Sequence, residues 1–188
     1  DSGLDAALGY AEAARIPFGL GFLKNRYVGR TFISPGQDNR IDLVKQKLSP
    51  IVSEVRGKRI VLIDDSIVRG TQLRETVDFL YEHGAKDVHI RSACPPILYA
   101  CKFLNFSRSN SENELIARST ILELEGEEGF QHLDEYMDGT TERGRKLRDT
   151  ICEKLHFTSL EYQTLEGILE AIDLPECDVC TYCWNGKE

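Results

Sequence analysis

One stretch in the first half of the chain changes its hydrophobic period within a few residues. Residues 60–63 form an uninterrupted apolar run, which is typical of a strand buried in a parallel sheet. A polar turn follows, and after it Leu73, Val77, Leu80 and Tyr81 recur at the spacing of one helical face. The pattern therefore predicts a strand, a loop and a helix in direct succession.

The same reasoning predicts elements on both sides of this unit. A helix begins near Ser2, which can cap it, and Pro17 prevents its continuation. The other predicted elements are a strand at 18–22, a helix at 41–48, a strand at 87–93 and an amphipathic helix at 161–172. A strand, a helix and a second strand in this order require a right-handed crossover. We therefore expect an α/β fold, with a parallel sheet flanked by helices.

The second half of the chain has a different character. Residues 121–149 are dense in charged side chains and sparse in apolar ones, which predicts a solvent-facing helix or loop. We expect two parts: residues 1–105, which contain the predicted loop, and residues 106–188, a mainly helical extension that ends in a cysteine-rich tail.

Length and composition limit the possible functions. A chain of 188 residues with 41% apolar content can bury the core of one ordinary domain. The formal charge of −8 argues against binding to nucleic acid, which relies on a basic surface. No stretch approaches 18 apolar residues and no signal-like terminus is present, so we expect a soluble, cytoplasmic protein with no membrane segment.

The loop after the apolar run begins with Asp64 and Asp65. It lies at the carboxyl end of a strand, where open α/β sheets bind ligands, and the amides that open the next helix favour anions. Ser66 and Thr71 can add hydroxyl donors, and Gly70 lets the backbone approach a phosphate closely. Two carboxylates beside a phosphate are explained if they bind sugar hydroxyls or Mg²⁺. The loop therefore predicts a sugar-phosphate site, and an acidic turn without a ligand is the simpler alternative.

A long polar segment at residues 24–40 carries the cations Lys24, Arg26 and Arg30. Loops of this length in a compact domain are usually functional or disordered. The functional interpretation is a lid that brings positive charge to the ligand and excludes water during the reaction. The alternative is a solvated run of surface charges.

Three cysteines lie close together near the end of the chain, at Cys177, Cys180 and Cys183. Cys101 lies far upstream, after the turn at Pro95 and Pro96. Closely spaced thiolates can share one soft metal centre, either zinc or an iron–sulphur cluster. Reduced structural cysteines are the alternative, because free cysteine is often simply buried.

The segments described above resemble one enzyme family. The string V-L-I-D-D-S-I-V-R-G-T-Q at residues 61–72 resembles the 5-phosphoribosyl-1-pyrophosphate (PRPP) signature of type I phosphoribosyltransferases. Residues 1–3, 24–33, 95–97 and 114–117 further resemble the glutamine PRPP amidotransferase (amidophosphoribosyltransferase) family, in order and in spacing. That family forms 5-phosphoribosylamine from PRPP and glutamine, in the first committed step of purine synthesis.

The resemblance implies a role for each candidate residue of the predicted ligand site. The 5-phosphate would bind to Ser66, Ile67, Val68, Arg69, Gly70 and Thr71. Asp64 and Asp65 would bind the ribose hydroxyls and Mg²⁺, and Ser2 would add an oxygen linked to the metal. Lys24, Arg26 and Arg30 would act in catalysis by neutralising the pyrophosphate. Gln72 departs from the family, which often has a second threonine there.

The tail resembles a branch of the family that carries a four-iron four-sulphur (4Fe-4S) cluster. Carried over to this sequence, the ligands are Cys101, Cys180 and Cys183, with a fourth cysteine farther upstream. Cys177 is the local substitute if these residues complete a site alone. The cluster would act as a structural clamp rather than as a redox centre.

The family resemblance also implies what lies beyond this sequence. Family members begin with a glutaminase domain that has an N-terminal cysteine nucleophile, whereas this sequence starts at Asp1. We therefore expect a fragment, inactive alone, that receives glutamine-derived ammonia from the glutaminase domain. The family further suggests a homotetramer inhibited by purine nucleotides. The alternatives are another PRPP-using transferase and a PRPP-sensing regulator without catalytic activity.

Overall fold

The computed structural model describes residues 2–24, 48–103 and 112–187. In these ranges, strands β1 (Phe22–Lys24) and β2 (Leu48–Pro50) pair in antiparallel orientation. Strands β3 (Arg59–Asp64), β4 (Asp87–Ser92) and β5 (Ser159–Tyr162) form a parallel sheet in that order.

Helices surround the parallel sheet. They are α1 (Ser2–Ala14), α2 (Val52–Val55), α3 (Thr71–Glu82), α4 (Ile116–Glu125), α5 (Leu133–Met137), α6 (Glu142–Lys154), α7 (Leu165–Ile172) and α8 (Tyr182–Asn185). Short 3₁₀ turns occur at Glu112–Glu114, Gly126–His132 and Glu176–Asp178. The α/β architecture predicted from the sequence is therefore confirmed.

The predicted succession of strand, loop and helix is present as β3, residues 65–70 and α3. Leu73, Val77 and Leu80 of α3 are buried against the sheet, as their spacing predicts. The helix ends at Glu82, and Gly84 then takes a positive φ of 91° that permits the turn into β4. This crossover fixes the loop at the carboxyl edge of the sheet.

Two predictions in the first fifty residues need correction. The strand begins at Phe22 and not at residue 18, because Pro17, Gly19 and Gly21 disfavour a regular ladder before it. Leu48 was assigned to a helix but lies in β2, and the rest of that predicted helix, residues 41–47, lies outside the described residues.

The apolar side chains of α1 are only partly buried. Ala11 is 8% exposed, whereas Leu4 and Leu8 are 48% and 56% exposed. The helix packs on β3 through its small residues. A Cβ on Gly3 would lie 3.1 Å from the carbonyl oxygen of Ile63.

The charged stretch 121–149 is not merely solvent-facing, so that prediction was wrong in part. Ile121, Tyr136 and Leu147 are almost completely buried, and they belong to the same core as the sheet. A few apolar residues at helical spacing are enough to fix an amphipathic helix whose other positions are charged. Core side chains on both sides of residue 105 contact one another, and the division into two parts stays a prediction.

The predicted helix at 161–172 begins later than its apolar spacing suggests. Glu161 and Tyr162 lie in β5, and the helix starts at Leu165. Thr164 sets this start, because its hydroxyl accepts a hydrogen bond from the backbone N–H of Gly167. Among the described residues, no helix is long and apolar enough to cross a membrane.

Candidate functional site

The acid pair, Asp64 and Asp65, lies where β3 meets the loop. The backbone N–H of Asp65 donates to Oδ1 of Asp64 at 3.1 Å, and the N–H of Ser66 donates to Oδ1 of Asp65 at 2.9 Å. Each carboxylate is therefore held by the amide of the next residue. This places two acidic side chains side by side at the carboxyl edge of the sheet.

The register of the sheet places two further residues beside the acid pair. Asp64 pairs with Ser92 of β4, and Ser92 pairs with Tyr162 of β5. Ser92 is buried, and its hydroxyl donates to the carbonyl oxygen of Cys94 at 2.9 Å. This row of three residues was not predicted, since strand register depends on tertiary packing and not on local sequence.

The environment of Asp64 disfavours its charged form. Burial raises the pKa of its carboxyl to about 6, and the neighbouring Asp65 carboxylate adds to the shift. Two adjacent carboxylates, one of them partly buried, are the donor chemistry that Mg²⁺ prefers, since the cation offsets both the repulsion and the desolvation. The acid pair therefore fits a magnesium site.

The shift at Asp64 predicts how stability depends on pH in the metal-free chain. The folded state holds the Asp64 proton up to about pH 6, whereas the ordinary pKa is 3.8. Between these values the folded state binds more protons, so the free energy of unfolding falls as pH rises. Relative to Asp64→Asn, the wild-type chain should lose up to about 3 kcal/mol between pH 4 and pH 7. Urea titrations across this range measure the difference, and a difference independent of pH would contradict the assignment.

The loop at residues 65–70 is anchored at both ends. Ile67 is 3% exposed and packs in the core. Gly70 precedes α3 with a left-handed φ of 75°, and its carbonyl accepts the N–H of Arg74 at 2.9 Å. A Cβ on Gly70 would lie 2.8 Å from Cδ1 of Leu155, so only glycine fits both the conformation and the space. Thr71 then opens α3, and binding of a phosphate at the first turn of this helix stays a prediction.

The start of α4 supports this loop from outside. The backbone N–H of Ile116 donates to the carbonyl oxygen of Val68 at 2.8 Å. Nη2 of Arg69 lies 2.8 Å from Oε2 of Glu114. Arg69 was predicted only as a phosphate-loop residue, and these contacts were not predicted. The family-like segment at 114–117 is the one sequence signal that marks this support.

The other predicted ligands of this site are only partly described. Lys24 is exposed at the end of β1, and Arg26 and Arg30 lie outside the described residues. Ser2 begins α1, and its side chain is also outside the description. The first turn of α1 nevertheless lies beside the acid pair, because a Cβ on Gly3 would be 3.7 Å from Cα of Asp64.

Two of the predicted cysteine ligands, Cys101 and Cys183, lie in contact, and Cys180 is near enough to affect Cys183. The pKa of the Cys183 thiol is raised to about 11, chiefly by burial. The nearby Cys101 contributes next, through its charge and a hydrogen bond, and the charge of Cys180 adds a smaller effect. Cys177 lies apart, with its thiol 3.8 Å from the Asp178 carboxylate. In the described ranges no group of three or more metal-binding side chains has a geometry that would hold a metal ion, and no disulfide is present. The two adjacent thiols of Cys101 and Cys183 fit one side of a soft-metal site.

The tail docks on the residues that follow β4. The carbonyl oxygen of Cys183 accepts the backbone N–H groups of Leu98 and Tyr99, at 2.9 and 3.0 Å. Trp184 reaches the buried Cys94, where its hydrogen bond opposes the rise in thiol pKa that burial causes. Trp184 therefore links the tail to the residues that follow β4.

Fold and site together define a phosphoribosyltransferase-like α/β protein: a parallel strand, an acid pair, a glycine-containing loop and the N-terminus of a helix. No protein-family model matches the chain. The amidophosphoribosyltransferase of Methanothermobacter thermautotrophicus is 40% identical over 186 residues, which cover 99% of this chain and 33% of that protein. The Bacillus subtilis amidophosphoribosyltransferase is 42% identical over 188 residues, covering 100% of this chain and 34% of that protein.

Structural comparison gives the same result. The solved glutamine PRPP amidotransferase of B. subtilis, in complex with ADP and GMP, superposes with a TM-score of 0.72 and 37% sequence identity. The match covers 100% of this chain and 36% of that structure. This chain is similar over its whole length to amidophosphoribosyltransferases, and it spans about one third of the length of the curated relatives it matches.

Proposed function

We propose that this chain acts as the PRPP-binding part of an amidophosphoribosyltransferase. The complete enzyme forms 5-phosphoribosylamine from PRPP and glutamine-derived ammonia, which a glutaminase domain supplies, in the first committed step of purine synthesis. The observation that carries the proposal is the acid pair of Asp64 and Asp65, held next to a loop that ends at the N-terminus of α3. Similarity over the whole chain to enzymes of this name supports it.

Each part of PRPP is assigned to a separate part of the site. The 5-phosphate binds at residues 66–71, where the loop backbone meets the first-turn amides of α3. The ribose hydroxyls and Mg²⁺ bind to Asp64 and Asp65, with an oxygen from Ser2 nearby. The pyrophosphate binds to Lys24, Arg26 and Arg30, the cations of the predicted lid.

The reaction needs positioning and electrostatic stabilisation more than acid–base chemistry. Ammonia is already a nucleophile, and pyrophosphate leaves C1 of the ribose once its charge is neutralised. When bound, Mg²⁺ supplies part of the positive charge that neutralises the pyrophosphate. The loop is held in place by Ile67 in the core and by Gly70 against Leu155. It keeps the sugar phosphate in position while the predicted lid excludes water.

The two alternatives predict different ligands and products. Another PRPP-using transferase would join PRPP to a nitrogenous base, and a PRPP-sensing regulator would bind PRPP without forming any product. The experiment that tests the proposal is incubation of the complete protein with PRPP, Mg²⁺ and ammonium chloride. Formation of 5-phosphoribosylamine is expected, and binding of PRPP without this product would favour the regulator.

The proposal also includes a 4Fe-4S cluster. It would bind to Cys101, Cys180 and Cys183, together with a cysteine from outside this sequence. The contact between Cys101 and Cys183, and the effect of Cys180 on the Cys183 thiol, support this ligand set. Zinc and plain reduced thiols are the competitors, since cysteine spacing suits zinc equally well.

Further properties follow from the family by the same proposal. The enzyme works in the cytoplasm as a homotetramer, and purine nucleotides inhibit it by feedback. The B. subtilis structure in complex with ADP and GMP supports control by purine nucleotides.

A further inference from the structure

Arg118 is a buried charged residue whose interactions hold it on every side. It lies in α4 and is 8% exposed. Nε donates to the carbonyl oxygen of Leu98 at 2.7 Å, and Nη2 donates to Oε2 of Glu112 at 2.6 Å. The guanidinium also lies over the rings of Tyr99 and Phe130, with centroid distances of 5.3 and 4.7 Å. A buried cation with this set of partners fixes the geometry of whatever it contacts.

Two of these contacts belong to the docking seat of the tail, which we define as Leu98 and Tyr99. The amides of the seat donate to the carbonyl oxygen of Cys183. The Tyr99 ring lies 5.6 Å from the ring of Tyr182, and a Cβ on Gly186 would lie 2.7 Å from Cζ of Tyr99. Arg118 therefore contacts the same two residues that hold the tail.

The other end of the same segment supports the ligand loop. Ile116 binds Val68 through the backbone, and Glu114 pairs with Arg69. Ile116 lies in the first turn of α4, and Glu114 lies in the 3₁₀ turn Glu112–Glu114 just before it, two and four positions from Arg118. We therefore expect Glu114 and Ile116 to move together with Arg118. The loop and the seat are thus joined by a continuous chain of contacts.

We propose that Arg118 is a positioning residue that couples PRPP binding in the loop to docking of the cysteine tail at Leu98 and Tyr99. The inference rests on the proposed function, because PRPP is the ligand assigned to the loop. A ligand that orders the loop also orders the start of α4, and Arg118 passes that order to the seat. Since coupling is reciprocal, a well-docked tail strengthens PRPP binding by the same factor.

The test uses the complete enzyme and the variant Arg118→Lys. Lysine keeps the charge and the aliphatic stem, but it cannot make both hydrogen bonds while stacking on the rings. We expect PRPP to bind about tenfold more weakly by calorimetry in the presence of Mg²⁺. Hydrogen exchange of the Leu98 and Tyr99 amides should be slowed by PRPP in the wild type, and this protection should be lost in the variant.

Arg143→Lys is the matched control. Arg143 is likewise an arginine held by ion pairs, but it is only partly buried and its carboxylate partners are Glu125 and Glu135. We expect this variant to match the wild type in PRPP affinity and in protection of the seat. Equal behaviour of the two lysine variants would overturn the proposal.

A second variant, Glu114→Gln, approaches the same coupling from the loop side and leaves Arg118 in place. It should lose the PRPP-dependent protection of the seat while keeping the wild-type exchange rate without ligand. If Arg118→Lys does not fold by circular dichroism, this variant decides: retained protection refutes the coupling.

Failure of the proposed function gives a different result. The wild type would then show no PRPP binding at all. The exchange rate of the seat without ligand still tests Arg118, because Arg118→Lys should raise it about tenfold over Arg143→Lys if Arg118 holds the seat. Equal rates would refute its positioning role.

Discussion

Replacing Asp64 and Asp65 together by Asn is expected to abolish PRPP binding in the presence of Mg²⁺. The two carboxylates lie side by side at the carboxyl edge of the sheet, held by the amides of Asp65 and Ser66. Asparagine keeps the size of both side chains but removes both charges, and Mg²⁺ binds a neutral amide oxygen far less well than a carboxylate. Affinity measured by calorimetry should fall by more than about a hundredfold.

The control for this prediction changes the net charge by the same amount elsewhere. Glu127 and Glu128 are adjacent, exposed acids in the 3₁₀ turn Gly126–His132. Their joint replacement by Gln should leave PRPP affinity at the wild-type value. Both variants should keep the wild-type circular dichroism spectrum. Unchanged affinity in the Asp64 and Asp65 variant would remove the acid pair from the site.

The part of the site that the sequence predicted well is its most local part. The apolar run, the acid pair, the loop and α3 are continuous in sequence. Hydrophobic periodicity marks the strand and the helix, and turn-forming residues mark the loop. Gly70 takes a φ of 75°, a conformation that favours glycine, while its close approach to a phosphate stays a prediction. The close packing of Leu155 against Gly70 could not be predicted, because Leu155 directly follows α6 and is far from Gly70 in the sequence.

Other features depend on contacts between distant segments, and sequence reasoning missed them. The row of Asp64, Ser92 and Tyr162 exists only because three strands pair in one register. The misassignment of Tyr162 to a helix has the same origin, since four residues of strand carry too short a pattern to outweigh apolar spacing farther along. Arg118 looked like one of many surface charges, and only the fold buries it.

The second large effect concerns the cysteine tail. Anaerobically purified enzyme is expected to contain iron and sulphide in equal amounts, and Cys183→Ser should lose nearly all of both. Cys183 is the central ligand of the proposed set, because its thiol contacts Cys101 and the charge of Cys180 raises its pKa. Serine offers a hard oxygen in place of a soft thiolate, which does not suit an iron–sulphur cluster. Elemental analysis and the brown absorbance of the cluster provide the measurement.

Cys177→Ser is the matched control for the tail, since it removes one thiol of the same triplet. Cys177 is exposed and lies against Asp178, apart from the contacts of Cys183. We expect this variant to keep its full iron content. Stoichiometric zinc without iron in the wild type would replace the cluster by a zinc site. Absence of both metals would leave the tail as reduced cysteines, docked through the backbone bonds from Leu98 and Tyr99 alone.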